Sequence, residues 1–235
     1  TVKHMLGLKC IHDIVVNAME YLHIDVPVAL HLDHGTSREA CEAAIAAGFS
    51  SIMFDGSHLP FRENLAITHH LVTLAHSKGI SVEAELGTIA GSEDGIVNSE
   101  VIYADPQECY TLVTETQVDC LAAALGSTHG LYKGKARLGF TEMKAIAERV
   151  KVPLVLHGGT GIADEDMRRA IACGTAKINV NTENMYAWCQ QVKAIFAADT
   201  GHDVNDPRKV IAQGLQPVRE MIARRMALFG SQQRY

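Results

Sequence analysis

The sequence predicts an α/β fold, a (β/α)8 TIM barrel whose first strand–helix–strand is missing from this chain. Three observations predict it. Short apolar runs alternate with amphipathic segments of helical period, which implies a parallel sheet. The polar residues of those runs gather at their C-terminal ends, the face on which such barrels place their chemistry. A helical segment, Ile11–Leu22, precedes the first run, where a complete barrel begins with a strand. An open doubly wound sheet is the alternative, but no GxGxxG follows the first strand. The chain has 235 residues, is 47% hydrophobic and 20% charged, and so has ample material for one large core. The expected organisation is one domain over 1–235, N-terminally incomplete, with C-terminal helices over about 183–228 included.

The elements follow in order. Ile11, Val15, Ala18, Met19 and Leu22 share one face of the first helix. Val28–His34 reads as a strand. Ser37–Ala47 reads as a helix, with Thr36 as N-cap, Glu39 three residues on and Gly48 just past its end. Ser51–Phe54 is a strand closed by Asp55-Gly56, and Arg62–Lys78 a helix stopped by Gly79. Ser81–Leu86 is a strand. A long polar loop over 87–105 reads either as a lid or as a solvated excursion. Asp105-Pro106 opens a helix with proline in its first turn. Cys120–Leu125 is a strand, Thr141–Val150 a helix, Leu154–Leu156 a strand and Asp164–Cys173 a helix ended by Gly174. Lys177–Asn181 is the sixth and last strand, followed by helices over about 183–198 and 207–228.

Composition excludes several functions. The net charge of −6 provides no basic face for nucleic acid. No apolar run approaches the ~20 residues that span a bilayer, so no membrane partner is expected. No signal peptide is visible, and the six cysteines show no CxxC pair. They read as reduced core thiols of a cytoplasmic protein. Thr1 does not look like a native start, and an open six-stranded barrel would expose core edges. A chain that continues before Thr1 is therefore expected.

Three histidines fall where apolar runs end: His34 in LHLDH, His129 in GSTHG and His157 in LHGG. If those runs lie side by side, three imidazoles converge with an open fourth position, the donor set of a catalytic zinc ion. The other nine histidines have no such placement. His69, His70 and His76 read as surface residues. His31 alternates away from His34 and reads as a packing or outer-sphere residue. Asp33 beside His34 suits general acid–base work, or else orients a histidine. Asp55, Glu83 and Glu85 are further acids on the strands. The glycine turn Gly158-Gly159-Thr160-Gly161 follows the fifth strand and the segment Asn179-Val180-Asn181-Thr182 ends the sixth, and the loops after these strands are where such barrels bind phosphate. Lys177 opens its strand, which places it at the end of the barrel away from the chemistry and argues against a Schiff-base lysine.

These residues sit in longer motifs: HLDHG (31–35), DGSHLPFREN (55–64), VEAELGTIAGSEDG (82–95), ALGSTHGLYKG (124–134), LVLHGGTGI (154–162), KINVNTEN (177–184), DPRK (206–209) and LFGS (228–231). In order and spacing the chain resembles the class II, metal-dependent fructose-bisphosphate aldolases, in particular the short subgroup that also contains tagatose-bisphosphate aldolases. The resemblance implies a glycolytic lyase with zinc, a monovalent cation as a second ion, a sugar bisphosphate substrate and a homodimer or homotetramer. It casts Asp33 as proton donor and His34, His129 and His157 as zinc ligands. Glu85 resembles a residue at an alternative metal position, and Glu93 a loop acid or base. Gly130, Gly158–Thr160 and Asn179–Thr182 resemble contacts to dihydroxyacetone phosphate. Arg208 resembles an arginine that reaches a neighbouring subunit's site. Fructose 1,6-bisphosphate is the expected substrate, on the strength of Asn181. Tagatose 1,6-bisphosphate or another ketose phosphate is the alternative, and a non-catalytic sugar-phosphate receptor the remote one.

Overall fold

Strand order in space repeats strand order in the chain. The strands are β1 (His31–Gly35), β2 (Ser51–Phe54), β3 (Ser81–Leu86), the short β4 (Ala90–Glu93) and β5 (Ile96–Asn98), then β6 (Cys120–Ala123), the two-residue β7 (Thr128–His129), β8 (Leu154–Leu156) and β9 (Thr175–Ile178). Six of them form one sheet in the order β1-β2-β3-β6-β8-β9, every pair parallel. The helices are α1 (Leu8–Tyr21), α2 (Arg38–Ala47), α3 (Phe61–His76), α4 (Pro106–Thr116), α5 (Phe140–Val150), α6 (Asp164–Ala172), α7 (Thr182–Ala198) and α8 (Pro207–Phe229). One of α2 to α6 lies in each crossover, so the sheet is a βα array and the six strands match the six expected. Its two edges are β1 and β9. The computed structural model describes residues 7–93, 96–98, 102–130, 135–199 and 204–232, with 90–93 and 96–98 as backbone. Among them no helix is long and apolar enough to cross a membrane.

Alternation along the strands separates two faces. Ile52 and Phe54, Val82, Ala84 and Leu86, Leu121 and Ala123, and Leu154 and Leu156 all join the core against the helices. That core takes Cys41, Ala44 and Ile45 from α2, Leu71, Val72 and Ala75 from α3 and Leu112 from α4. The residues between them, Met53, Ala122 and Val155, form a separate small cluster on the opposite, inner face. A period of two then puts Glu83, Glu85 and Lys177 on that inner face as well.

Several boundaries differ from the sequence reading. Ser37, not Thr36, caps α2: its extended backbone aims the hydroxyl at the Ala40 N–H, 3.2 Å away. β1 begins at His31 rather than Val28, because its pairing with β2 starts at His31 opposite Ser51. β9 covers Thr175–Ile178, so Asn179 and Asn181 lie in the turn after it. The loop over 87–105 carries strands of its own: β4 pairs antiparallel with β5 and parallel with β7. Helix α1 reaches the core through Leu8 and Ile11, while Leu22 is exposed. Asp105 caps α4 as expected, accepting from the Gln107 and Glu108 N–H groups.

Candidate active site

An irregularity in β1 aims two consecutive residues into the same space. Leu32 pairs with Ile52 and Gly35 with Phe54, so Asp33 and His34 together oppose the single residue Met53. His34 adopts φ +46°, a left-handed conformation that costs a non-glycine residue about 1–2 kcal/mol. Leu32 and Gly35 both face the helices: a Cβ on Gly35 would meet the Cys41 Sγ at 2.5 Å. Asp33 and His34 are therefore both left facing inward. The same count corrects His31. It does not alternate away from His34 but faces the interior with it, bonded to the Ser51 hydroxyl at 2.8 Å and lying 3.7 Å from Glu83.

His34, His129 and His157 meet. One nitrogen from each lies within 4.8 Å of the others, and the ring centroids are 4.7 to 6.0 Å apart. They arrive by different routes. His34 sits in the irregular end of β1, and His157 directly follows β8. His129 is not at the end of β6 but on β7, whose partner is β4. The loop after β8 comes close enough to β7 because of Gly158, at φ +65°, where a Cβ would lie 2.3 Å from the Thr128 carbonyl oxygen.

Carboxylates fix two of the imidazoles. Asp55 Oδ2 lies 2.9 Å from His34 Nδ1, and Glu83 Oε1 lies 2.8 Å from His157 Nε2. Burial pushes the Asp55 carboxyl up, but its bonds to His34 and Ser57 outweigh this and hold it at about 2. Burial likewise opposes ionisation of Glu83, while His157 and then Lys177 hold it at about 2. Ionised carboxylates only accept, so His34 Nδ1 and His157 Nε2 are the donors. The opposite nitrogens, His34 Nε2 and His157 Nδ1, face one another at 2.9 Å, and with both rings neutral each carries a lone pair. In that form the two nitrogens suit a shared cation, and with His129 they form a three-nitrogen set suited to zinc. A second group of ligand atoms, from His34, Asp55 and Glu85, is equally compact. Glu85 is buried, and desolvation, with the charge of Asp55 next, raises its carboxyl well above the ordinary range.

Lys177 is a second correction. It is the third residue of β9 rather than its opening one, and its Nζ donates to Glu83 Oε2 at 2.8 Å. It thus supports the histidine cluster from below, and an ammonium held by a buried carboxylate is not a free nucleophile. Sequence reasoning named Glu83 and Asp55 as strand acids without giving either a task. The missed signal was Glu83 and Glu85 two apart on a buried strand, hence on one face.

The remaining expected residues divide. Asn179 donates from Nδ2 to both carboxylate oxygens of Asp33, at 3.2 and 3.3 Å. The two glycine- and asparagine-bearing turns are joined directly, the Gly159 N–H donating to the Asn179 carbonyl at 3.1 Å. Thr160 is buried beside them, and Val180 and Thr182 continue the second turn into α7. Gly130 follows His129 at φ +85°. Arg208 is not brought to this cluster: it is 89% exposed and paired with its own helix cap Asp206. Glu93 ends β4, and its side chain lies outside the described residues. His70 and His76 are on the surface as expected, paired with Glu42 and Asp119.

Comparison with known proteins places these features in a family. The model of the class-II fructose-bisphosphate aldolase family matches residues 1–234. A fructose-bisphosphate aldolase of Geobacillus stearothermophilus is 52% identical over 229 residues, 97% of this chain and 79% of that protein. A probable fructose-bisphosphate aldolase of Bacillus subtilis (strain 168) is 51% identical over 229 residues, 97% and 80% of the two chains. Among solved structures, the YdjI aldolase of Escherichia coli K12 superposes with a TM-score of 0.80 at 34% identity, over 96% of this chain and 77% of that one. A putative fructose-1,6-biphosphate aldolase from Coccidioides immitis gives 0.82 at 30% identity, over 94% and 77%.

Proposed function

The chain belongs to the class II fructose-bisphosphate aldolase family, and on that premise we propose that it is a zinc-dependent lyase that cleaves fructose 1,6-bisphosphate reversibly to dihydroxyacetone phosphate and glyceraldehyde 3-phosphate. The observation that carries the proposal is the convergence of His34, His129 and His157 beside Asp33. The three histidines would hold zinc, with a monovalent cation as the second ion. Bound there, zinc supplies electrophilic stabilisation for the negative charge that develops on the three-carbon fragment as C3–C4 breaks.

The chain's own residues do the rest. Asp33 accepts the C4 hydroxyl proton during cleavage and returns it to the aldehyde oxygen during condensation. Asn179 holds both of its carboxylate oxygens, which fixes the direction from which the proton is taken. Glu93, on the β4–β5 hairpin, exchanges a proton with the fragment's carbon. Gly130, Gly158–Thr160 and Asn179–Thr182 hold one phosphate, the latter two segments lying at turns that lead into α6 and α7. Arg208 of a neighbouring subunit holds the other in a homodimer or homotetramer, and this would explain why it faces solvent within its own chain. Such clamps place the reacting atoms, a large part of the rate of any two-substrate condensation. The setting is cytoplasmic carbohydrate metabolism.

The test combines metal and product. Cleavage of fructose 1,6-bisphosphate should be abolished by EDTA and restored by zinc, and His157→Ala should lose stoichiometric zinc. Activity that survives EDTA but is trapped by borohydride with substrate would replace this reading with a Schiff-base one at a lysine. Full zinc in the His157 variant would remove that residue from the metal site.

A further inference from the structure

We propose that Arg225, far from the chemistry in sequence, is the positioning residue that sets the geometry of the phosphate-binding turns. This rests on the reading above that the turns after β8 and β9 take a phosphate. Arg225 lies near the end of α8, and its side chain is only 17% exposed. Its guanidinium grips Glu183 bidentately, Nε to Oε1 at 2.7 Å and Nη2 to Oε2 at 2.9 Å. Its remaining nitrogen, Nη1, lies 3.6 Å from Asp164 Oδ1. Glu183 is the second residue of α7 and Asp164 the first of α6. One side chain thus joins the first turns of the two helices that the phosphate turns lead into.

Two consequences follow. The first is mechanical. The turns at 158–163 and 179–181 end in helices whose N-caps, Ala163 and Asn181, make no side-chain capping bond. Their position depends on how α6 and α7 are held, and α8 is the element packed on both. Its registry on α7 is fixed elsewhere by Gly214, where a Cβ would lie 2.3 Å from the Trp188 indole nitrogen. Arg225 is the polar fastening, and a planar fork matches a carboxylate in a way that lysine cannot. The second consequence is electrostatic. The first turn of α6 carries Asp164, Glu165 and Asp166, and that of α7 carries Glu183. Negative charge there opposes an incoming phosphate dianion at the helix N-termini, and Arg225 offsets it at Glu183 and Asp164 together.

The experiment measures dihydroxyacetone phosphate binding by calorimetry, and steady-state cleavage of fructose 1,6-bisphosphate, on the zinc-loaded chain. Arg225→Met should raise Kd and KM about tenfold while kcat moves less than about threefold, since the clamp rather than the acid–base group is loosened. Arg225→Lys should recover part of the loss. Glu183→Gln unties α7 but leaves Asp164 paired and removes one opposing charge, so it should raise Kd by less than Arg225→Met, and the double variant should be no worse than Arg225→Met, in which the Glu183 contact is already lost. Wild-type Kd and KM in Arg225→Met, with only a lowered Tm, would reduce the residue to a structural bolt and overturn the proposal. So would a fall in kcat at unchanged KM. If Arg225→Met does not fold, Arg225→Lys decides alone: wild-type Kd and KM there overturn it. Failure of the unmodified chain to bind dihydroxyacetone phosphate would instead overturn the phosphate reading itself.

Discussion

Replacing Glu83 by glutamine removes one charge from the inner face while nearly preserving volume. Glu83 has no solvent exposure, and each of its oxygens is engaged, one by His157 and one by Lys177. Its carboxyl sits at about 2 against an ordinary 4.5. At about 1.4 kcal/mol per tenfold change in proton affinity, that difference is worth about 3 kcal/mol of folded-state stability at neutral pH. The folded value is the lower one, so the contribution is present above pH 4.5 and disappears as pH falls through 2. At pH 3 about 1.5 kcal/mol of it should remain. The assay is urea unfolding of EDTA-treated wild type and Glu83→Gln at pH 7, 5 and 3. Metal must be absent because bound ligand adds its own stability. The glutamine amide also turns one donor toward Lys177 or His157, which adds a penalty of about 1–3 kcal/mol that does not vary with the variant's own titration. The slope with pH, rather than the size of the gap, is therefore the diagnostic. A gap that is the same at pH 7 and pH 3 would show that the carboxylate's charge is not what the network uses. No gap at all would show that the network is not formed.

Three further outcomes are expected. Asp33→Ala should keep zinc yet lose kcat by roughly 10²–10⁴-fold, as removal of a proton-transfer group does; metal loss with near-normal activity on reconstitution would make Asp33 an orienting residue instead. Gly158→Ala places a Cβ 2.3 Å from the Thr128 carbonyl oxygen at φ +65° and should cost about 1–3 kcal/mol. Because Thr128 adjoins His129, the same variant should bind zinc more weakly in a chelator competition, and unchanged affinity would separate the turn from the metal site. Mixing inactive Asp33→Ala with weakened Arg208→Ala subunits under exchange should restore part of the activity; none despite demonstrated exchange would rule out a role for Arg208 in the neighbouring site.

The fold was legible because its signals are local and repeated. Ser51–Phe54 is an apolar run closed by Asp55-Gly56, and Ser81–Leu86 alternates Val82, Ala84 and Leu86 with Glu83 and Glu85 before Gly87, so local pattern locates both to the residue. Boundaries failed where tertiary pairing decides. Nothing local separates Lys177–Asn181 from Thr175–Ile178 as the paired segment. β7 and β4 are too short to show a period, and they are strands through their pairing with each other and with β5.

The site was legible to the extent that chemistry concentrates at strand ends, and it became illegible at a single extra residue. A strict alternation from His31 assigns His34 to the opposite face. The structure reverses this because Leu32 and Gly35 are the consecutive residues held against the helices, with two residues rather than one between them. The cause lies in side-chain volume on both faces. Gly35 leaves no room for a Cβ beside Cys41 and the Met53 carbonyl, while His34 has a polar partner on the inner face in Asp55. That bond holds His34 in the left-handed region against its own backbone preference. The strain is therefore sustained by the cluster it creates: Asp33 reaches Asn179 and His34 reaches His157 only while both face inward. Sequence periodicity describes a strand that pays attention to its neighbours alone, and β1 answers to residues 21 to 146 positions away.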